Sequence, residues 1–168
     1  IFDGAHNPNL DAILYFINKI FPLVREKVHC DFFIAGQDKT DILKKLEIEG
    51  VRWLGCVEDL SECYNNSKIF IAPTRFSAGV PLKMIEAASF GIPIVASKIV
   101  ASQLNWRDGI ECLVGENPQE FAEKISLLYS DAELWNAIRK NSTERIKKEY
   151  NSEVFLESVR KAFDTTTA

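Results

Sequence analysis

Four residues in a short span have the types and spacing to hold a phosphorylated, hydroxyl-rich ligand: Arg75, Gly79, Lys83 and Glu86. Arginine offers a planar fork of donors to phosphate oxygens, and lysine a compact positive charge. Glycine lets the backbone approach a ligand closely. Lys83 and Glu86 stand three residues apart, so on a helix they share a face. A carboxylate placed there accepts hydrogen bonds from two adjacent hydroxyls, such as those of a ribose. Phosphate beside ribose means a nucleotide. The surroundings point the same way. From Cys63 to Arg107, 45 residues, Glu86 is the only acidic side chain, while Lys68, Arg75, Lys83, Lys98 and Arg107 are basic. With 24 acidic residues in 168, an even spread would put about six in that window. The competing reading is a solvated helix face on which Glu86 pairs with Lys83.

Such a site needs a strand, a loop and a helix start to hold it. Residues 69–72 are apolar without alternation, the pattern of a strand covered on both faces. Pro81 suits the first position of a helix, because its missing N–H costs nothing there. That helix is expected to end near Phe90, at Gly91, and Pro93 opens a further strand over 93–96. Upstream, Leu10, Ile13, Leu14, Ile17, Phe21 and Val24 keep helical spacing over 9–28, with Pro22 weakening or kinking the last turns. Strands are expected over 31–35, ending at Gly36, and over 51–54. Short helices are expected over 41–46 and 58–66. A helical turn over 100–104, a strand over 111–114 and helices over 118–129, 131–150 and 152–163 complete the pattern. Residues 1–3 read as the end of a first strand, followed by a turn over 4–9.

Strands alternating with helices predict an α/β fold: a Rossmann-like, doubly wound parallel sheet of six strands with helices on both faces. The expected strand order is 3-2-1-4-5-6, in one domain over 1–164 with a frayed tail over 165–168. In such sheets ligands lie beyond the carboxyl ends of the strands, where the order reverses. Here the loops at that point are 4–9, which carries His6 as a candidate contact, and 74–80.

Composition narrows the function classes. A net charge of −4 argues against a nucleic-acid partner. No apolar run reaches the length of a membrane span. Cys30, Cys56, Cys63 and Cys112 lack CxxC spacing and read as reduced thiols. Neither GxGxxG nor GxxxxGK[ST] occurs, and no cluster reads as a metal site. The chain opens Ile-Phe-Asp without an initiator Met, as expected of a fragment.

The segment APTRFSAGVPLKMIEAASFGIPIVAS resembles the donor-site signature of retaining, nucleotide-sugar-dependent glycosyltransferases of the GT-B fold (family 4-like, glycosyl transferases group 1). The blocks NLDAILYFINKIFP, FIAG, GCVEDL and PQEFAEKISLL resemble further family blocks in the right order. The resemblance covers nearly the whole chain and corresponds to the C-terminal, donor-binding half. It implies that Glu86, the second Glu of the family's E-x7-E motif, holds the donor ribose. It places the diphosphate at Gly79, Val80, Pro81 and Leu82, Val57 in the base-binding loop and Gly36 near it. Ala78 stands where the first Glu of the motif belongs, and loop 4–9 carries no basic residue other than His6. A subgroup with the pattern R-F-x-A-G-V-x-x-K-x-x-E-A resembles this chain at both places, which assigns the catalytic clamp on the leaving diphosphate to Arg75 and Lys83.

The implied reaction moves a sugar from a UDP- or GDP-sugar to an acceptor hydroxyl with retention, in polysaccharide or glycoprotein glycan synthesis, with no cofactor and no metal. The acceptor, a glycan, lipid or protein, would be held by the N-terminal half, which would also carry any membrane association. The implied location is cytoplasmic, peripheral at the inner membrane face, and the fragment alone is expected to transfer no sugar. The alternatives are a catalytically degenerate module that binds a nucleotide sugar or a partner, to which Ala78 points, and a half-domain of a nucleotide-sugar epimerase.

Overall fold

The computed structural model describes residues 8–36, 42–45, 47–76 and 79–150. Helix α1 (Pro8–Tyr15) runs through a π-helical stretch (Phe16–Ile20) into α2 (Phe21–Arg25). The widened turn has a local cause. Pro22 has no N–H to return to Asn18, and the preceding donor, Phe21 N–H, reaches back five residues to Phe16 O. The expected disturbance at Pro22 is therefore a π segment just ahead of it.

Five strands follow among the described residues. β1 (Phe32–Ala35) pairs in parallel with β2 (Val51–Gly55), and β3 (Phe70–Ala72), β4 (Ile94–Ser97) and β5 (Leu113–Gly115) form a parallel sheet in that order. Between them lie a 3-10 turn (Leu43–Lys45), α3 (Ser61–Asn65), α4 (Leu82–Ser89) and α5 (Lys98–Gln103). α6 (Pro118–Ser130) and α7 (Ala132–Glu149) end the described chain. In the numbering of the expected six strands, 2 beside 3, 4 beside 5 and 5 beside 6 are all present. The strand expected over 1–3 and the helix over 152–163 lie outside the described residues. So do His6, the ends of the helix expected over 41–46, and Ala78.

One apolar cluster joins the two sheets. Phe16, Ile20, Phe21 and Val24 from the first helical run pack with Val95, Leu113 and the α6 residues Phe121, Ala122 and Ile125, and Phe32, Val51 and Ile71 border the same cluster. The aromatic rings of Phe16 and Phe32 lie 4.4 Å apart. A second cluster fills the space between β3, β4, α4 and α5, with Met84, Ala87, Ala88, Ile94, Ala96 and Val100 at its centre. At 25 cal/mol per Å² buried, each such side chain contributes about 1.5–3 kcal/mol if large. Gly115 lets α6 follow β5 directly, since a Cβ there would come within 2.9 Å of Phe121 Cα. α6 is capped by Asn117, which accepts from Glu120 N at 3.0 Å, and the Glu120 side chain accepts from Glu116 N, one residue before the cap, at 2.9 Å.

The four cysteines are free thiols, as expected. Among the described residues, no helix is long and apolar enough to cross a membrane.

One polar group is deeply buried at the amino end of β5. The Glu111 side chain is 4% exposed and is gripped by Arg107 (2.6 Å) and reached by Arg145 (3.5 Å), and it also accepts from Arg107 N at 2.9 Å. Burial alone would raise its carboxyl pKa. The hydrogen bonds and charge of Arg107, with the charge of Arg145, outweigh that and hold it below its ordinary 4.5. A depressed carboxylate contributes stability that is complete above the ordinary value and fades as pH falls through the folded one. Glu111→Gln is expected to lower stability by about 2 kcal/mol at pH 7. In urea titrations the gap to the unaltered protein should be constant from pH 8 to 6 and close below pH ~4.

Candidate functional site

The carboxyl end of β3 leads through Pro73 and Thr74 into the loop that carries Arg75 and Gly79, and from there into α4. Ser97 at the end of β4 donates to Thr74 O at 2.6 Å and ties this loop to the next strand. α4 buries Met84, Ala87 and Ala88 against the sheet. Spacing of three and four then puts Leu82, Lys83 and Glu86 on the outward side, where all three are exposed. Pro81 is the residue just before the helix rather than its first, and its carbonyl accepts from Met84 N at 2.9 Å. Leu82 N–H is turned to Val80 O at 2.9 Å, so the donor the sequence reading assigned to an anion is engaged within the chain.

Gly79 has φ +89°, and a Cβ there would meet nothing within 4 Å. The loop therefore needs glycine for conformation, not for room.

The two basic residues have different partners. Arg75 grips both carboxylate oxygens of Asp11 on α1, through Nε at 3.0 Å and through Nη2 in close contact, and the guanidinium lies 4.9 Å from the Tyr15 ring. Asp11 is the first cause of the rise in the Arg75 pKa. Lys83 instead donates to Asn9 Oδ1, a neutral acceptor, at 2.9 Å. Desolvation lowers its pKa, and the nearby Glu86 charge pulls the other way. Lys83 is thus the basic residue without a carboxylate in hydrogen-bond contact, while Arg75 has its charge matched. Asp11 was not foreseen. It lies 64 residues from Arg75, and nothing local in the sequence marks their meeting.

Glu86 accepts from the Tyr64 hydroxyl at 3.2 Å. Tyr64, on α3, is the second residue that sequence reasoning missed. A cavity of ≈ 760 Å³ is lined by Val80, Pro81, Leu82, Lys83, Glu86 and Tyr64, together with Asn9 and the inner edges of β1 and β3. Arg75, Gly79, Gly36 and Val57 are not on its wall. Gly36 and Val57 flank the carboxyl ends of β1 and β2. Gly36 N–H donates to Gly55 O at 2.8 Å, and the Trp53 indole donates to Gly36 O at 3.3 Å, so those two loops are tied to each other. Among the described residues no group of His, Cys, Asp and Glu is arranged to hold a metal ion.

The cavity runs along β1 and β3 from Cys30 and Lys68 to Ala35 and Thr74, and α4 meets it at the Thr74 end. A cation and a carboxylate on one face of α4 there can bind a phosphate next to a diol. The family model described as glycosyl transferases group 1 matches residues 1–131. The chain belongs to this family. This group 1 glycosyltransferase chain is 28% identical over 137 residues to N,N'-diacetylbacillosaminyl-diphospho-undecaprenol alpha-1,3-N-acetylgalactosaminyltransferase of Campylobacter jejuni, which covers 78% of this chain and 36% of that protein. It is 25% identical over 131 residues to the capsular polysaccharide biosynthesis glycosyltransferase CapM of Staphylococcus aureus, covering 76% and 34%. The structure of Anabaena HepE in complex with UDP superposes with a TM-score of 0.77 at 14% identity, over 87% of this chain and 44% of that one. That likeness shows the fold, one half of the GT-B architecture expected from the sequence. The chain spans about a third of the length of the curated relatives it matches.

If the Gly79 conformation is what the loop requires, Gly79→Ala should cost about 1 kcal/mol in urea unfolding, although a methyl group has space there. Gly79→Asn, which tolerates positive φ better, should cost less.

Proposed function

We propose that this chain is the donor-binding part of a retaining glycosyltransferase that transfers a sugar from a UDP- or GDP-sugar to an acceptor hydroxyl, in polysaccharide or glycoprotein glycan synthesis. The observation that carries the proposal is the placing of Lys83 and Glu86 together on the outward face of α4, on the wall of one cavity. Family membership and the UDP complex of a structural neighbour support it.

In this reading Glu86 accepts from the ribose hydroxyls and Lys83 meets the diphosphate. Charge builds on the diphosphate as the glycosidic bond breaks, so a fixed cation beside it lowers the barrier more than it tightens ground-state binding. Lys83, with a neutral Asn9 as partner, gives up little to turn to a phosphate. Arg75 must first leave Asp11, so its part in the clamp depends on that exchange. These two cations, rather than a metal, would neutralise the leaving group. Front-face attack by the acceptor, assisted by the leaving phosphate, needs no enzymatic base from this chain. The acceptor, and any membrane contact, would be met by the rest of the protein, and this chain alone is not expected to transfer sugar.

Calorimetry with UDP, GDP and the matching nucleosides tests the reading. Lys83→Ala should weaken diphosphate binding about tenfold and leave nucleoside binding within twofold. Equal losses for both would remove Lys83 from the phosphate. Asp11→Asn should free Arg75 and remove a like charge, tightening the diphosphate about threefold. Failure of the folded chain to bind either nucleotide would refute the donor-site reading. Nucleotide binding without turnover by the whole protein would favour the degenerate module to which Ala78 points.

A further inference from the structure

Glu86 is exposed on α4, and an exposed glutamate has three rotatable bonds and no fixed direction of its own. Here its carboxylate meets the tip of a residue that is anything but free. Tyr64 is 8% exposed; its ring stacks on Phe90 with centroids 4.8 Å apart and planes 20° apart, and tilts against Phe70 at 6.3 Å. Its hydroxyl lies 3.2 Å from Glu86 Oε2. Desolvation first, and then the Glu86 charge, push the phenol pKa well above its ordinary value, so it stays a donor.

We propose that Tyr64 is the positioning residue for Glu86: its hydroxyl holds Oε2 so that the carboxylate stands ready for the 2′ and 3′ hydroxyls of a donor ribose. The inference rests on the diol reading of Glu86 given above. It adds a reason why a carboxylate on a solvent-facing helix face can select a diol. With Oε2 anchored, Oε1 and the second lone pair of Oε2 keep one geometry, and ligand binding need not order the side chain. The anchor comes from α3, a separate element, so α4 alone does not set the direction of its own carboxylate.

The test compares UDP and GDP with their 2′,3′-dideoxy counterparts, by calorimetry on this chain. Glu86→Gln should weaken the ribose forms and leave the dideoxy forms within twofold. Tyr64→Phe, which keeps the stacked ring, should weaken the ribose forms about fivefold with the same selectivity. In the Glu86→Gln background it should add less than twofold. Phe90→Leu, at an exposed position that loosens the ring but keeps the hydroxyl, should give a smaller loss of the same selective kind. A Tyr64→Phe loss shared equally by ribose and dideoxy forms, or additive with Glu86→Gln, would overturn the positioning role while leaving the diol reading intact. A Glu86→Gln variant with no selectivity for the ribose forms, or an unaltered chain that binds neither nucleotide, would overturn both.

Discussion

How closely α4 lies on the sheet governs the rest of the ligand edge. Its inward face carries Met84, Ala87 and Ala88, none more than 1% exposed, with a methyl group at two of the three positions. Small residues there let the helix axis lie near β3 and β4. On the way to the helix start, Gly79 takes φ +89° and Ser97 bonds to Thr74 O. The outward face is fixed by the same packing, because helical periodicity leaves Lys83 and Glu86 no other side to occupy. A larger residue at Ala87 or Ala88 would lift the helix and move both functional groups together.

Charge at this edge is set by folding as much as by local sequence. Between Cys63 and Arg107 the chain has one carboxylate, which reads as a strongly cationic cradle. The fold brings Asp11 in from α1 and binds it to Arg75, matching the charge of one of the two cations beside α4. Lys83 escapes because its cross-partner on the same helix run is Asn9, an amide. Two residues of α1 therefore separate a neutral contact from an ionised one. An exposed pair such as Arg75–Asp11 adds little to stability. Its consequence is on the field that an incoming anion meets.

These two contacts show where sequence reasoning succeeds and where it stops. Among the described residues, five strands, most of the helices and the parallel pairing were legible, because apolar runs bounded by Gly and Pro have few other solutions. Lys83 and Glu86 were legible as a pair, because their three-residue spacing is a local property of the helix. Arg75–Asp11 spans 64 residues and Tyr64–Glu86 spans 22, and each joins side chains from separate elements. No spacing rule encodes such meetings; they depend on the distance between packed helices. The π segment was half legible. Pro22 announced a disturbance, but whether the helix would kink or widen depended on Phe16 and Ile20 staying in the core, and both are nearly fully buried.

A carboxylate beside Lys83 would by itself collapse into the ion pair that forms the bland reading of this helix. It does not do so here. Lys83 turns to Asn9 and Glu86 to Tyr64, so each charged group has a neutral hydrogen-bond partner from a different element. Keeping the two charges apart costs the few tenths of a kcal/mol that an exposed helix pair would have given. What it preserves is a cation and an anion about one turn apart, each free of direct neutralisation by the other. A cation there matches the charge of a phosphate, and the carboxylate offers acceptors to the neutral hydroxyls of an adjacent diol.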